Sequence, residues 1–221
     1  KSSLEPWNCH AVQPVKRLSG ATLGIVGLGR IGQATAQRAR AMRMRVVAYD
    51  PYLRPGTEKV FGVEMVSFEE LLSTSDVVSL HTPLTKETED LIDNDALSRM
   101  KSDSILVNTS RGSVVNTAAL AKALRSGKIA AAGIDVLPIE PASEDEPLIQ
   151  LWREADETNV NLIITPHTAF YSAEAMLEIR TKTAMEVARA LRGEKLVNCV
   201  NSQWLSNDVR RRVLVGIPPT V

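Results

Sequence analysis

The chain has 221 residues, of which 44% are hydrophobic and 4% aromatic, and its 26 Lys and Arg residues are balanced by 26 Asp and Glu. That length can bury a substantial core built mostly from Val, Ile, Leu, Ala and Met, and the balanced charge lacks the basic footprint of a direct nucleic-acid binder. Cys9 and Cys199 lie too far apart for a zinc motif or a disulfide framework, and no signal peptide or membrane-length apolar run is present, which together predict a reduced cytoplasmic or nuclear setting and no metal site.

Residues 1–20 lack periodicity, carry Pro6, Pro14 and Gly20, and read as a connecting segment. An apolar strand is expected over 23–27, and it leads into Gly27-Leu28-Gly29-Arg30-Ile31-Gly32 and a helix over 30–42. Gly27 permits a tight turn, Gly29 lets a pyrophosphate approach the backbone, and Gly32 lets helix pack on strand. The N–H groups at the helix start then face the phosphates. A second strand, 45–49, ends in Asp50, eighteen residues after Gly32. A carboxylate there suits a ribose 2′-hydroxyl and repels a 2′-phosphate, which points to NAD.

The alternation continues with strands expected at 62–66, 77–80, 104–108, 130–135 and 161–164, and helices at 68–74, 93–99, 116–126 and 172–192. Asn116 is placed as a helix cap, Gly127 as a stop, and Ser172 with Glu174 opens the last helix. This predicts an α/β fold, a doubly wound parallel sheet of about seven strands with helices on both faces, over residues 21–193. Residues 138–160, with Pro138, Pro141 and Glu144-Asp145-Glu146-Pro147, read as a long surface loop holding one short helix near 148–155. Residues 194–221, with Arg210-Arg211-Arg212 and Pro218-Pro219, read as a solvated tail.

Three polar groups follow three separate strands at the edge where such sheets bind ligands. Arg111 comes after Val107-Asn108-Thr109-Ser110, Glu140 after Gly133-Ile134-Asp135-Val136, and His167 after Leu162-Ile163-Ile164-Thr165-Pro166. Singly, each reads as an ordinary surface group: an Arg paired to a surface acid, a solvated Glu, a capping His. Together they make a set in which Arg holds an acidic substrate bidentately and a carboxylate-paired His exchanges a proton. His81, after the 77–80 strand, either lines the cofactor edge or makes a structural hydrogen bond. His10 is read as incidental, and Cys9 and Cys199 as packed thiols. None of Tyr49, Tyr52 or Tyr171 has a Lys four residues on, which argues against a short-chain dehydrogenase.

These motifs resemble the D-2-hydroxyacid dehydrogenase family over about residues 18–201. The resemblance rests on the glycine fingerprint, Asp50, His81-Thr82-Pro83-Leu84-Thr85, Asn108-Thr109-Ser110-Arg111-Gly112, Asp135-Val136 with Glu140-Pro141, and Thr165-Pro166-His167. It implies that Arg111 binds substrate and that Glu140 and His167 form the acid–base pair. It also implies that Gly27, Gly29, Arg30, Ile31, Gly32, Asp50, His81, Thr82, Pro83, Thr109, Ser110 and Asp135 contact NAD. The substrate would be a 2-oxo or 2-hydroxy acid, and the protein a homodimer. A substrate domain, largely absent from this chain, would close over the site. Within the family, Asp50-Pro51-Tyr52-Leu53, Thr165-Pro166-His167-Thr168-Ala169 with Tyr171-Ser172, and Asn198-Cys199-Val200-Asn201 are similar to the C-terminal binding proteins. Those are NAD(H)-binding transcriptional corepressors, so transcription-factor peptides enter as partners. Phe170 stands where that group carries Trp, keeping an aromatic wall without an indole donor. A purely metabolic dehydrogenase, and a corepressor whose NAD(H) mainly stabilises the dimer, are the competing readings.

Overall fold

Short runs of β-branched and aliphatic residues form the strands, and both faces of the central ones are buried, so they are continuously apolar rather than alternating. In the computed structural model, which describes residues 15–154 and 160–200, these are β1 (Thr22–Val26), β2 (Arg45–Tyr49), β3 (Glu64–Met65), β4 (Val77–Leu80), β5 (Ile105–Asn108), β6 (Ala131–Ile134) and β7 (Asn161–Ile164). They pair in the order β3-β2-β1-β4-β5-β6-β7, and every pairing is parallel. The doubly wound sheet is therefore present. Its order reverses between β1 and β4, and a crevice opens there beyond the carboxyl ends of the strands.

The helices are α1 (Arg30–Ala41), α2 (Thr57–Phe61), α3 (Phe68–Thr74), α4 (Asn94–Arg99), α5 (Thr117–Arg125), α6 (Pro147–Arg153) and α7 (Ala173–Arg192). Side-chain caps start five of them, α3 to α7; in the first three Ser67 Oγ accepts from Glu70 N–H at 3.1 Å, Asp93 Oδ1 from Ala96 N–H at 2.9 Å, and Asn116 Oδ1 from Ala119 N–H at 2.9 Å. One core, containing Leu71, Leu97, Leu120, Leu148 and Leu151, packs α3 to α6 on one sheet face. A smaller one, with Ile25, Leu28, Ala36 and Ala39, packs α1 on the other.

Two expectations need correction. The strand anticipated over 62–66 shortens to Glu64–Met65, paired only with Val47 and Ala48 at the sheet edge. Just before it, α2 escaped the sequence reading. It has five residues bounded by left-handed Gly56 and Gly62, too few to display helical periodicity. The 138–160 segment does contain its short helix, α6, with Pro147 at the start and Leu148 and Leu151 fully buried.

At the amino ends of the central strands β1 and β4, Asp76 Oδ2 accepts the Thr22 N–H at 2.7 Å and Oδ1 pairs with the Lys101 ammonium. Burial pushes this carboxyl up, but the Lys101 and Thr22 hydrogen bonds and the nearby ammonium charges outweigh it, leaving the group below the usual carboxylate range. A depressed folded value means stabilisation present at neutral pH and lost as pH falls below the ordinary carboxylate range. Asp76→Ala is expected to cost about 1–3 kcal/mol at pH 7 without altering NADH affinity. Urea unfolding at neutral and acid pH would check this; a pH-independent gap between variant and parent would contradict it.

The chain forms two compact units, Lys1–Ala169 and Phe170–Val221. The sheet and the candidate site lie in the first. In the second, α7 is capped by Ser172 Oγ, which accepts Ala175 N–H at 3.0 Å, and ends at left-handed Gly193. Cys9, His10, Arg210-Arg211-Arg212 and Pro218-Pro219 lie outside the described residues. No described helix is long and apolar enough to cross a membrane, and no described cluster of His, Cys, Asp and Glu could hold a metal.

Candidate active site

The crevice at the β1–β4 reversal holds a cavity of about 580 Å³, lined by Gly27, Gly29, Asp50, Tyr52, His81, Thr82, Pro83 and Glu87 among others. Gly27 has φ of 91°, and a Cβ there would lie 2.9 Å from the His81 carbonyl, so the turn after β1 needs glycine for both conformation and contact. A Cβ on Gly29 would meet nothing within 4 Å, which leaves room for a ligand against the backbone. On Gly32 it would reach the Gly27 carbonyl oxygen at 2.2 Å, so that glycine serves the packing of α1. The first turn of α1 carries no acidic residue and no side-chain cap; its N–H groups and the exposed Arg30 suit a pyrophosphate.

Asp50 ties this cleft together. Its Oδ2 accepts the Leu28 N–H at 2.9 Å and Oδ1 the Tyr52 N–H at 3.0 Å. His81 lines the cavity and bonds Ser79 Oγ through Nε2 at 3.0 Å. Burial holds its pKa down, favouring the neutral ring. Thr82 Oγ1 is buried without a partner, and such a group calls for a hydrogen bond from a ligand. A bare glycine face, an uncapped helix start, an orphaned hydroxyl and a carboxylate at the end of β2 together fit NAD.

The second focus is a cavity of about 210 Å³ lined by Leu84, Arg111, Gly112, Leu137, Glu140 and His167 among others. It brings the three predicted residues together. His167 Nδ1 lies 2.7 Å from Glu140 Oε2, and Glu140 Oε1 accepts the Leu137 N–H at 2.9 Å. A carboxylate only accepts, so Nδ1 is the donor and Nε2 is the ring nitrogen Glu140 does not use. Burial raises the Glu140 pKa, but the His167 bond, the Leu137 N–H and the His167 charge outweigh it, and the carboxyl sits below its ordinary value. Arg111 forms no salt bridge among the described residues; Nη1 donates to its neighbour's carbonyl, Ser110 O, at 2.6 Å. The surface-pair reading of Arg111 thus finds no acid.

Three positioning devices went unread in the sequence. The buried Asn108 closes the turn before Arg111: Oδ1 accepts Ser110 N–H at 3.0 Å and Ser110 Oγ–H at 2.8 Å, and Nδ2 donates to Arg111 O at 3.0 Å. Gly112 presses on the next loop, since a Cβ there would lie 1.9 Å from the Leu137 carbonyl carbon and 2.3 Å from Pro138 N. Asp135, whose carboxyl is buried, accepts Thr165 Oγ1–H at 2.5 Å, Thr168 N–H at 2.8 Å and Ala169 N–H at 3.0 Å. Its carbonyl takes the His167 N–H at 2.8 Å, holding His167 at φ of 52°, a left-handed conformation that costs a non-glycine residue about 1–2 kcal/mol. Arg30, Ile31, Gly32, Thr109, Ser110 and Asp135 do not line the dinucleotide cavity. Asp135 borders a mainly apolar cavity of about 410 Å³ with Ile149 and Trp152, which Glu140 and His167 also line.

A dinucleotide crevice and an Arg–Glu–His cluster, both at the carboxyl ends of the strands, define a dinucleotide-binding domain of the doubly wound class. Residues 4–169 match the family described as D-isomer specific 2-hydroxyacid dehydrogenase, NAD binding domain. The chain is 47% identical over 184 residues to a glyoxylate reductase of Korarchaeum cryptofilum, covering 83% of this chain and 53% of that protein. It is 43% identical over 182 residues to a D-3-phosphoglycerate dehydrogenase of Mycobacterium leprae, covering 82% of this chain and 33% of that protein. The D-lactate dehydrogenase from Aquifex aeolicus complexed with NAD and lactic acid superimposes with a TM-score of 0.73 at 37% identity, covering 81% of this chain and 56% of that one. The chain belongs to the D-isomer-specific 2-hydroxyacid dehydrogenase family and carries its NAD-binding domain. It spans about half the length, or less, of the curated relatives it matches.

Proposed function

We propose that the protein carrying this domain interconverts a 2-oxo acid and a 2-hydroxy acid with NAD(H), as a metabolic dehydrogenase. The observation that carries the reading is the 2.7 Å Glu140–His167 bond on the same small cavity as Arg111. In reduction, the Arg111 guanidinium pairs with the substrate carboxylate, and His167 Nε2 gives its proton to the oxo oxygen as that oxygen gains charge. Glu140, kept ionised, stabilises the protonated ring beforehand and orients it. In oxidation the imidazole takes the hydroxyl proton back. NAD(H), when bound, supplies or accepts the hydride. A substrate domain from the remainder of a longer protein would exclude water and position the substrate over this edge. The test is NADH oxidation by the full-length protein with glyoxylate, pyruvate and a phosphorylated 2-oxo acid; turnover of none of them would refute the reading.

A second reading, a corepressor of the C-terminal binding protein type acting in the nucleus, rests on Asp50-Pro51-Tyr52-Leu53, Thr165-Pro166-His167-Thr168-Ala169 and Asn198-Cys199-Val200-Asn201. The relatives above are named as a reductase and dehydrogenases, which favours the metabolic one. Binding of transcription-factor peptides with turnover of no 2-oxo acid would reverse that order.

The cofactor is expected to be NAD(H) over NADP(H), because Asp50 lines the dinucleotide cavity at the end of β2, where its carboxylate would accept a ribose hydroxyl and repel a 2′-phosphate. Asp50→Ala should weaken NADH by about 1–3 kcal/mol, the cost of losing a charged hydrogen bond. Equal NADH affinity in the variant, by fluorescence titration, would remove Asp50 from the site.

The protein is also expected to be a homodimer. Ile139 and Trp152, on the 138–154 segment, stand 72% and 49% exposed, and a long segment in a compact domain usually has a function. Light scattering with and without NADH should give the dimer mass; a monomer at micromolar concentration in both would contradict it.

A further inference from the structure

Glu87, on the rim of the dinucleotide cavity, ties two of its flanking turns together. Glu87 lies on the turn after β4, and its carboxylate accepts the phenol hydroxyl of Tyr52, which belongs to the turn after β2. Both residues line the cavity, on elements that flank it from opposite sides of β1. The backbone of Tyr52 is itself fixed by Asp50, whose other oxygen holds the Leu28 N–H of the glycine turn. A continuous chain of hydrogen bonds therefore runs from the glycine turn through Asp50 and Tyr52 to Glu87. It sets a second carboxylate on the rim that Asp50 occupies. Tyr52 is 75% exposed, so an apolar pocket does not hold its ring there. Glu87 holds the phenol pKa above its usual value, and Tyr52 stays a donor over the working pH range.

We propose that Glu87, held on the rim by the Tyr52 phenol, is a specificity-determining residue that acts with Asp50 to exclude a 2′-phosphorylated dinucleotide. This rests on the reading that Asp50 meets the adenosine ribose. Two carboxylates on one rim raise the energy of a phosphate dianion there, while an uncharged ribose is unaffected. Lys86, on the same turn, also lines the cavity and carries the opposing charge. Glu87 offsets it, so removing Glu87 leaves an ammonium beside the phosphate position.

The test is titration of NADH and NADPH, read by nicotinamide fluorescence, against the parent protein, Glu87→Gln, Tyr52→Phe and Asp50→Asn. Glu87→Gln is expected to raise NADPH affinity relative to NADH roughly three- to ten-fold at low salt, with most of that gain lost at about 0.5 M salt, where the Debye length is a few ångströms. Tyr52→Phe should move the ratio the same way but less, since the charge remains and only its anchor is lost. If Glu87→Gln leaves the ratio unchanged while Asp50→Asn shifts it, the role of Glu87 is overturned and the Asp50 reading survives. If Asp50→Asn also leaves it unchanged, the adenosine assignment itself is wrong. Loss of NADH binding in Glu87→Gln would make Glu87 a general cofactor contact and overturn its role as a filter.

Discussion

His167→Ala is expected to lower kcat for 2-oxo acid reduction by about 10²–10⁴, the range general acid catalysis supplies, with NADH affinity within about two-fold of the parent. The variant removes the proposed proton donor and leaves the dinucleotide cavity intact, because His167 does not line it. Its backbone remains tied to Asp135 through the N–H bond of 2.8 Å, so the loop should keep its course. Stopped-flow NADH fluorescence separates the two effects: binding amplitude reports the cofactor site, and the single-turnover rate reports proton transfer. An unchanged rate would remove His167 from the chemistry. Equal loss of binding and rate would show that the side chain serves the loop.

Gly112→Ala should be nearly as damaging, although the residue carries no chemistry. An added methyl group would lie 1.9 Å from the Leu137 carbonyl carbon and 2.2 Å from its oxygen. Those are backbone atoms, so one of the two loops must move. Overpacking of this kind costs about 1–3 kcal/mol, occasionally more. The loops in question carry Arg111 and Glu140, and a displacement of an ångström between the proposed substrate anchor and the proposed acid–base pair can cost on the order of 10² in rate. Thermal unfolding should show a clear loss of stability, and kcat/KM a drop beyond any change in NADH affinity. A variant with parental stability and turnover would mean that the Gly112 contact with the 137–138 loop does not hold the two groups in register.

What the sequence disclosed follows the range of the interactions concerned. The glycine turn, the strand before it and Asp50 are local, and each leaves a pattern within a few tens of residues. The caps at Asn116 and Ser172 are closer still. Arg111, Glu140 and His167 could be placed at one edge because each follows a strand of a parallel sheet. The pairing of Glu140 with His167 comes from the family resemblance and not from spacing, since 27 residues separate the two and nothing in that interval fixes their distance. The role of Asp135 was hidden for the same reason. Its carboxylate bonds Thr165, Thr168 and Ala169 across 30 to 34 residues, and a polar residue at a strand end gives no sign of which way it turns. Gly112 was visible as a residue within a motif, but the backbone it touches became apparent only when the loops after β5 and β6 met. The shortness of β3 and the presence of α2 reflect marginal edge structure, where two glycines decide more than propensity does.

The central claim is that this cleft directs hydride between nicotinamide and the 2-carbon of an oxo acid. It is tested most directly by a single turnover of the full-length protein with pyruvate and NADH deuterated on both faces of the nicotinamide C4, with the products read by mass spectrometry. One deuterium at C2 of the resulting hydroxy acid, and its loss in step with the rate in His167→Ala, is the predicted result. NADH that binds but never transfers its label to any 2-oxo acid would contradict the account.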